Sequence, residues 1–244
     1  MKMRIEPNTP LSTKVARRLR TLLRTDFTQG GRIPGEVELA GEFGVSRGTV
    51  RQALAILERE GAIFRRQGSG TYANQYVLRI AARAETAYEF SELIKRTGFD
   101  AGLEVIGLER RPAEENEADA LGINFCDPLI VVKKLFFAED APAVYCIDKL
   151  PVALIVESFE ETELARPIFD FIEQRCHTRV DYMLAEIIPR AAEGEIAECL
   201  QLQSGAPTLE LVERSYSDNN EPILLSQVFY SDALIRFTVL RKKA

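Results

Sequence analysis

The chain has 244 residues, of which 46% are hydrophobic and 28% are charged, and this composition predicts a soluble globular protein of one or two domains. No apolar run approaches the roughly 20 residues that span a bilayer. The N-terminal stretch "MKMRIEPNTPLS" lacks the apolar middle segment of a signal peptide. We therefore expect a cytoplasmic protein that is neither secreted nor inserted in a membrane.

Cysteine and histidine are too sparse for a metal site or for nucleophilic catalysis. The four cysteines form no CxxC pair, and His177 is the one histidine in the chain. We expect free buried thiols, a structural or solvent-facing His177, and no metal or cofactor. The cysteines are Cys126, Cys146, Cys176 and Cys199.

The formal net charge of −6 is unevenly distributed along the chain. Residues 1–75 hold 13 basic and 7 acidic side chains, a balance of +6, and the remaining residues hold 18 and 30, a balance of −12. A basic head on an acidic body is typical of a polyanion-binding module joined to a different kind of domain.

The first 44 residues predict two helices. "LSTKVARRLRTLLRTDF", from Leu11 to Phe27, has apolar residues at helical spacing. "TQGGRIPGE" breaks the chain, and "GEVELAGEF" then predicts a short helix that ends at Gly44. The residues expected to be buried are Leu11, Val15, Leu19, Leu22 and Leu23 in the first helix, and Val37, Leu39, Ala40 and Phe43 in the second.

A third helix follows the turn at Gly44. Ser46 is placed to cap it by accepting a hydrogen bond from the amide of Thr49, and the helix is expected to end at Gly61. The apolar stripe is Val50, Ala53, Leu54 and Leu57. Two helices joined by so short a turn predict a helix-turn-helix, and "AIFRRQGSGTYA" predicts a basic β-hairpin, or wing, behind it.

The polar face of the third helix predicts contact with DNA. Arg47 and Arg51 lie one helical turn apart, with Thr49 and Gln52 beside them. In a helix-turn-helix this end of the second helix enters the major groove, where arginine pairs with guanine or clamps a phosphate. On the wing, Arg65 and Arg66 are expected to meet the DNA backbone, and Gly68 and Gly70 to permit a close approach. An exposed basic helix without a ligand is the simpler alternative.

"IPGEVELAGEFGVSRGTVRQALAILEREGAIFRRQGSGTYA" resembles the winged helix-turn-helix of the GntR family of bacterial transcription regulators. The resemblance implies that Arg47 and Arg51 read the operator, that Thr49 and Gln52 assist, and that Gln67 and Gly68 form the wing tip. Val37 stands where the family often has arginine. The predicted DNA-binding residues are Ser46, Arg47, Thr49, Arg51, Gln52, Arg65, Arg66, Gln67 and Gly68.

The acidic body contains an internal duplication. Residues 117–145 and 195–225 both predict a short helix, a strand, an acidic turn and a second strand, at an offset of 79 to 80 residues. Two such units can pair edge to edge into one antiparallel sheet with the helices on one side, with a ligand pocket between the halves. The fold class is α+β. We expect a DNA-binding domain at 1–75, a linker at 76–85 and a sensing domain at 86–244.

The body also resembles the UTRA effector-sensing domain, found behind the GntR head in the HutC branch and similar to the chorismate lyase fold. The resemblance covers residues 86 to 242, including "YEFSELIKRTG" and "FYSDALIRFTVLRK". It implies a role for Phe90, Ser91 and Tyr230 in binding the effector, with Lys134 and Phe136 in place of two arginines. The family's polar residues are replaced by Glu89, Cys146 and Leu224.

Strand alternation puts Val132, Lys134 and Phe136 on one face. If they share a pocket, a ligand with an anionic end and a less polar body fits it. If this face is core, Lys134 lies at its edge, and the sequence does not separate the two arrangements.

The leading hypothesis is a ligand-controlled regulator, a repressor by the family's commoner mode, although activation stays open. One helix-turn-helix reads only a few base pairs, so specific affinity needs two half-sites and hence a homodimer on a palindromic operator. The alternative is a lyase-like enzyme fused to a DNA-binding head. Glu89, Glu186 and Asp232 offer carboxylates for such chemistry, but they form no recognisable catalytic arrangement.

Overall fold

A computed structural model describes residues 10–25 and 31–241. The chain divides into two compact units, Met1–Arg83 with Thr238–Ala244, and Ala84–Phe237. Residues 1–9 of the N-terminal stretch, residues 26 and 27 at the predicted end of the first helix, residues 28–30 of the break that follows, and residue 242 of the UTRA-like region lie outside the described residues.

The first unit carries three helices and a hairpin in the predicted order. α1 is Leu11–Thr25, α2 is Glu36–Phe43, α3 is Arg47–Arg59, β1 is Ile63–Arg66 and β2 is Gly70–Ala73. The predicted linker contains a single helical turn, α4 at Gln75–Leu78, and the two-residue strand β3 at Ala82–Arg83.

The helices of the first unit enclose one apolar core. Most of the predicted stripe residues are fully buried: Val15, Leu19, Leu23, Leu39, Val50, Ala53, Leu54 and Leu57. Two expectations were wrong, because Leu11 is 55% exposed at the open end of α1 and Val37 is 64% exposed on the outer face of α2. The core therefore forms without them, and Val37 leaves an apolar side chain on the surface.

The turn between α2 and α3 follows the capping chemistry that the sequence predicts. Gly44 has φ 64° and ψ 34°, the left-handed conformation that glycine adopts without a Cβ clash. Ser46 Oγ accepts a hydrogen bond from the amide of Thr49 at 3.1 Å. The helix α3 ends where predicted, since Arg59 is its last helical residue, Glu60 caps it and Gly61 follows with φ 72°.

The second unit contains the remaining elements. Its helices are α5 Phe90–Thr97, α6 Glu115–Leu121, α7 Ile168–Arg175 and α8 Gly194–Cys199, with 3-10 turns at Val152–Leu154 and Glu161–Ala165. Its long strands are β4 Ala101–Pro112, β5 Pro128–Ala138, β6 Ala141–Pro151, β7 Val180–Ala191, β8 Pro207–Ser217 and β9 Pro222–Ser231. A two-residue strand, β10 Phe237–Thr238, ends the series.

The six long strands form one antiparallel sheet in the order β4-β5-β6-β9-β8-β7. The repeats supply the strand pairs β5-β6 and β8-β9, with β4 and β7 at the outer edges, and they join where β6 pairs with β9 over Val144–Lys149. The edge-to-edge pairing predicted from the repeats is therefore confirmed.

Helices cover both faces of this sheet, so the expectation of helices on one side was incomplete. The duplicated α6 and α8 pack on one face, against Leu129 and Val131 and against Leu135 and Phe229 respectively. α7 packs on the opposite face, where Phe171 and other residues cover Ile130, Val132 and Leu224. α5 packs on the same face as α7, where the Phe90 ring of α5 contacts the Phe136 ring of β5.

Buried ion pairs support the face that α6 covers. Glu117 in α6 is 1% exposed, and it lies 2.7 Å from Arg111 and 3.0 Å from Lys149. The hydrogen bond from Arg111 is the main cause that lowers the pKa of Glu117 to about 2. Lys149 also donates to Gln227 at 2.8 Å, which joins the two halves across the centre of the sheet.

Candidate functional site

The outer face of α3 presents a basic surface in the first unit. Arg47, Arg51 and Gln52 are exposed, whereas Val50 and Ala53 on the opposite face are fully buried. Residues four apart lie on the same side of a helix, so Arg47 and Arg51 point in the same general direction. The structure thus brings together the predicted groove-facing residues of this helix.

Arg51 is held by a residue that the sequence analysis did not identify. Its Nη2 lies 2.9 Å from Glu36 Oε2, and its Nε donates to both carboxylate oxygens at 3.2 Å. The Arg51 side chain is 63% exposed, and the hydrogen bonds from Arg51 lower the pKa of Glu36. The ion pair orients the guanidinium while leaving its outer edge open to solvent.

Ser46 and Thr49 act together at the beginning of α3. The two hydroxyl oxygens lie 2.9 Å apart, in addition to the capping bond from the Thr49 amide to Ser46. Both side chains are therefore engaged in local structure at the helix end, where the helix dipole also favours an approaching phosphate.

The wing places its two predicted arginines in different environments. Arg65 Nε lies 3.0 Å from Glu58 Oε2 at the end of α3. The guanidinium of Arg66 lies over the Phe64 and Tyr72 rings, at 5.3 and 5.1 Å from their centroids. Arg66 is thus supported on aromatic rings rather than neutralised by a carboxylate.

The wing loop is open at its tip and closely packed at its base. Gln67 and Gly68 are exposed, and Gly68 has φ 72° with nothing within 4 Å of where a Cβ would stand. A Cβ at Gly70 would lie 2.7 Å from Arg32 Nε, so a larger residue there would displace Arg32. Arg32 pairs with Tyr72 alongside the hairpin, which adds a third basic side chain that the sequence analysis missed.

A cavity of about 390 Å³ lies on the α5 and α7 face of the sheet in the second unit. Strands from both halves of the duplication line it, as the sequence predicted for a pocket between the halves. The strand residues are Lys134, Phe136, Asp148, Tyr182, Met183, Ala185, Leu211, Glu213 and Tyr230. Residues 84–90, Leu93, Ile168, Phe169 and Phe237 complete the lining.

Four of the five predicted effector-binding residues line this cavity. Phe90, Phe136 and Tyr230 form a ring cluster, with centroids 4.9 Å apart for Phe90–Phe136 and 6.2 Å for Phe90–Tyr230. Lys134 lies beside them, whereas Ser91 is outside the lining and donates its amide to Glu89 at 3.0 Å. Val132 is also outside the lining, because α7 buries it in the core.

Of the two arrangements that the sequence left open for Lys134, a pocket cation and a residue at the edge of the core, the structure combines features of both, because Lys134 lines the cavity and is buried. Lys134 is 1% exposed, its Nζ donates to the carbonyl of Arg166 at 3.1 Å, and the same atom lies 3.6 Å from Asp148 Oδ2. Asp148 also accepts a hydrogen bond from Ser226 Oγ at 2.7 Å. The lysine charge is therefore balanced within the protein.

Carboxyl groups outnumber cations in the cavity lining. Among the described residues, the lining contains four carboxyl side chains and a single lysine, Lys134. The carboxyl side chains are Glu85, Glu89, Asp148 and Glu213. Burial, and after it the charge of Asp148, raises the pKa of Glu213 to about 7. Burial also raises the pKa of Glu89. The pocket thus holds carboxyl groups that are poorly solvated in their charged form.

Asp148 and Glu213 line the cavity but were not predicted from the sequence, and the register between strands explains why. Asp148 pairs with Ser226, and Ser226 pairs with Glu213, so the three form a polar row across β6, β9 and β8. Alternation within each strand could have placed each residue on a face, but only the register between distant strands brings them together.

The cysteines and the histidine lie largely as expected. Cys146 and Cys176 are buried and Cys199 is partly buried, but Cys126 is exposed, contrary to expectation. The His177 side chain is 59% exposed and lies 2.9 Å from Glu157. No group of three or more histidine, cysteine, aspartate or glutamate side chains among the described residues has the spacing of a metal site.

Two family matches cover both units. The bacterial regulatory proteins of the gntR family match residues 11–73, and the UTRA domain matches residues 96–233. The chain belongs to the GntR family of regulators with a UTRA domain. This GntR–UTRA regulator combines a winged helix-turn-helix with a six-stranded effector domain, as the sequence resemblance implied.

Curated relatives carry regulator names. The GntR–UTRA regulator is 29% identical to the HTH-type transcriptional repressor NagR of Bacillus subtilis over 211 residues, which are 86% of each chain. It is 28% identical to the mannosyl-D-glycerate transport/metabolism system repressor MngR of Escherichia coli, over 96% of this chain and 97% of that protein. These relatives are named as transcription regulators and not as enzymes, so the enzyme alternative is set aside.

A solved structure shows the same fold. The possible transcriptional regulator YydK from Bacillus subtilis superposes with a TM-score of 0.76 at 22% identity, over 95% of this chain and 99% of that one. At this identity the likeness establishes the fold of the GntR–UTRA regulator. None of its described helices has the length and apolar character needed to cross a membrane.

Proposed function

We propose that this protein is a repressor that binds a palindromic operator as a homodimer in the bacterial cytoplasm and is released by a small metabolite. The observation that carries the DNA-binding part is the exposed Arg47–Arg51 face of α3, with Arg51 oriented by Glu36 at 2.9 Å. Orientation before binding lowers the entropy cost of placing a guanidinium against a base edge. The repressor names of NagR and MngR support repression as the mode of action.

The effector part of the proposal rests on the cavity in the UTRA domain. A volume of about 390 Å³ lined by aromatic rings and a few polar groups is typical of a small-molecule site. A ligand that binds better to the conformation unsuited to DNA would shift the population towards it and release the operator.

The homodimer is supported by the geometry of operator recognition and by one edge of the sheet. Specific affinity usually needs two half-sites, which one winged helix cannot reach. The edge strand β7 extends over 12 residues and exposes Leu184 at 52% and Ile187 at 50%. A long edge with exposed apolar side chains favours pairing with a second copy.

A gel-shift experiment on the DNA upstream of the protein's own gene tests the proposal. We expect specific binding, weakened by about 1–3 kcal/mol in Arg51→Ala. Arg59→Ala is the matched control, because Arg59 lies at the opposite end of the same helix and is exposed. Equal losses of operator affinity in Arg51→Ala and Arg59→Ala would overturn the role assigned to Arg51.

Sedimentation of the free protein and of its operator complex tests the assembly. We expect two copies per palindromic site at micromolar concentration. A complex with one copy per site would contradict the homodimer while leaving DNA binding intact.

A further inference from the structure

The cavity in the UTRA domain contains a charge pair that needs no ligand. Lys134 Nζ lies 3.6 Å from Asp148 and donates to the Arg166 carbonyl at 3.1 Å. Asp148 accepts a further hydrogen bond from Ser226 at 2.7 Å. Each member of the pair has a partner of suitable chemistry, so a ligand gains little from neutralising either one.

Glu213 and Glu89 remain after that pair is set aside. The Glu213 side chain makes no hydrogen bond with the described residues, and it lines the cavity beside Ser226. Within the described part of the chain, Glu89 accepts hydrogen bonds from Ser91 alone, whose amide lies 3.0 Å away. Both carboxyl groups therefore line the cavity, and neither forms an ion pair within 4 Å among the described residues.

The Tyr230 hydroxyl is a further polar group of the cavity wall. Tyr230 is 3% exposed and lines the cavity, yet its hydroxyl forms no hydrogen bond with the described residues. A hydroxyl that lines a cavity in this way can exchange hydrogen bonds with a bound molecule. The ring itself packs edge-on against Phe90 and against Phe237, whose centroid lies 4.9 Å away.

Aromatic rings make up much of the remaining wall. They are Tyr88, Phe90, Phe136, Phe169, Tyr182, Tyr230 and Phe237. Aromatic faces attract ammonium and guanidinium groups, and carboxylates supply the countercharge. A phosphate or carboxylate ligand would instead meet two carboxyl groups that lack an ion-pair partner and a lysine that is already paired with Asp148.

We propose that the effector of this regulator is a small organic cation, an amine or amidine on an apolar or aromatic body, held by Glu213, Glu89 and the ring cluster. This inference rests on the proposed function, which makes the cavity the effector site. Glu213 and Glu89 supply the countercharge, and the Tyr230 hydroxyl accepts a hydrogen bond from the ligand.

Calorimetry on the full chain with matched probes tests the charge preference. 2-Phenylethylamine, 2-phenylethanol and phenylacetate share a ring and differ in charge, and tetramethylammonium, putrescine and glucose 6-phosphate extend the panel. We expect at least one cation to bind tenfold or more tightly than the neutral and anionic probes. Tighter binding of phenylacetate or glucose 6-phosphate, or no preference for any cation, would overturn the proposal.

Two variants locate the binding site. Glu213→Gln keeps the size of the side chain and should weaken cation binding about tenfold or more. Glu186→Gln removes the same charge from the other face of the same sheet, where Glu186 is 70% exposed, and should leave binding unchanged. Equal effects of the two variants would place the cation outside the cavity.

Operator binding measured on the same preparations separates this inference from the proposed function. If the protein binds the operator but shows no preference for cations among the probes, the proposed ligand class is wrong and the proposed function still stands. A cation that binds through Glu213 but never weakens the operator complex supports the ligand class and contradicts ligand-induced release.

Discussion

The carboxylate of Glu36, at the beginning of α2, accepts hydrogen bonds from Arg51 on α3, at 2.9 Å from Nη2 and 3.2 Å from Nε. The pair joins two helices whose contact residues are 15 positions apart in sequence. It fixes the direction of the arginine proposed to read the operator, and it also lowers the net positive charge of the surface proposed to face DNA.

Glu36→Gln should therefore reduce sequence discrimination and increase non-specific binding. Arg51 would lose the carboxylate that orients it and would become free to bind phosphates along any duplex. We expect the ratio of operator affinity to random-DNA affinity to fall about tenfold, which corresponds to ~1.4 kcal/mol. Fluorescence anisotropy with operator and scrambled duplexes at matched salt measures the ratio.

Glu42→Gln is the control for the charge change alone. Glu42 is exposed on the same helix, so its loss alters net charge by the same amount without releasing Arg51. If both variants shifted the ratio equally, orientation by Glu36 would have no part in specificity.

Arg66 on the wing should contribute to affinity and not to sequence preference. Its guanidinium rests over the Phe64 and Tyr72 rings, which suits contact with a phosphate. Arg66→Ala should weaken operator and random DNA similarly and lower the slope of log affinity against log salt by about 0.9. Arg79→Ala, an exposed arginine at the end of α4, should leave the slope unchanged.

An unchanged slope in Arg66→Ala would mean that the wing does not contact the DNA backbone through this residue. A loss confined to the operator would indicate instead that Arg66 reads a base.

Local patterns accounted for the first unit better than for the second. The spacing of Val50, Ala53, Leu54 and Leu57 fixes the buried side of α3, and the cap at Ser46 depends on residues three positions apart. Such short-range rules are visible in a sequence. The Glu36–Arg51 pair was not foreseen, because it depends on how two helices cross.

The effector pocket depended on contacts over much longer distances. Alternation correctly placed Lys134 and Phe136 on one face, and the duplication predicted a cavity between the halves. The charge of the pocket was misjudged because Asp148 is buried beside Lys134, 14 residues away and one strand over. Glu213 reaches the same row only through the register of β8 on β9.

Lys134→Met should strongly destabilise the effector domain. It leaves Asp148, which is 2% exposed, without its cationic partner, and removing one member of a buried pair typically costs about 3–5 kcal/mol. Adding Asp148→Asn to Lys134→Met removes the unpaired charge. The double variant should recover more than half of the lost free energy of unfolding. Urea unfolding of the two single variants and the double variant gives the coupling free energy.

A loss below about 1 kcal/mol in Lys134→Met would contradict a buried pair. It would show instead that water reaches Asp148 through the cavity and solvates its charge.

Glu213 should make the stability of the effector domain depend on pH near neutrality. Its pKa rises from 4.5 to about 7 on folding, so between these values the folded state keeps a proton that the unfolded state loses. The free energy of unfolding therefore falls as pH rises through this window, and the full cost, at most about 3 kcal/mol, is present above pH 7. Glu213→Gln should remove this dependence and exceed the wild type in stability at pH 8.

The same titration should couple to ligand binding. A cation beside Glu213 favours the charged carboxylate, so its affinity should rise about tenfold between pH 6 and pH 8, and Glu213→Gln should abolish the rise. The charged and titratable groups that surround Glu213 are Lys134 on β5, Cys146 and Asp148 on β6, Tyr230 on β9, Tyr182 on β7, and Glu85, Tyr88 and Glu89 before α5.

Unfolding midpoints and calorimetric affinities between pH 5.5 and 8.5 measure the pH dependence of stability and of cation binding. Glu186→Gln is the control and should show the same pH dependence as the wild type. Glu186 lies on the opposite face of the sheet, so its charge is remote from the cavity. If Glu213→Gln kept the pH dependence of stability and of affinity, another group would be responsible for the titration. Glu89 would be the next candidate, because burial raises its pKa as well.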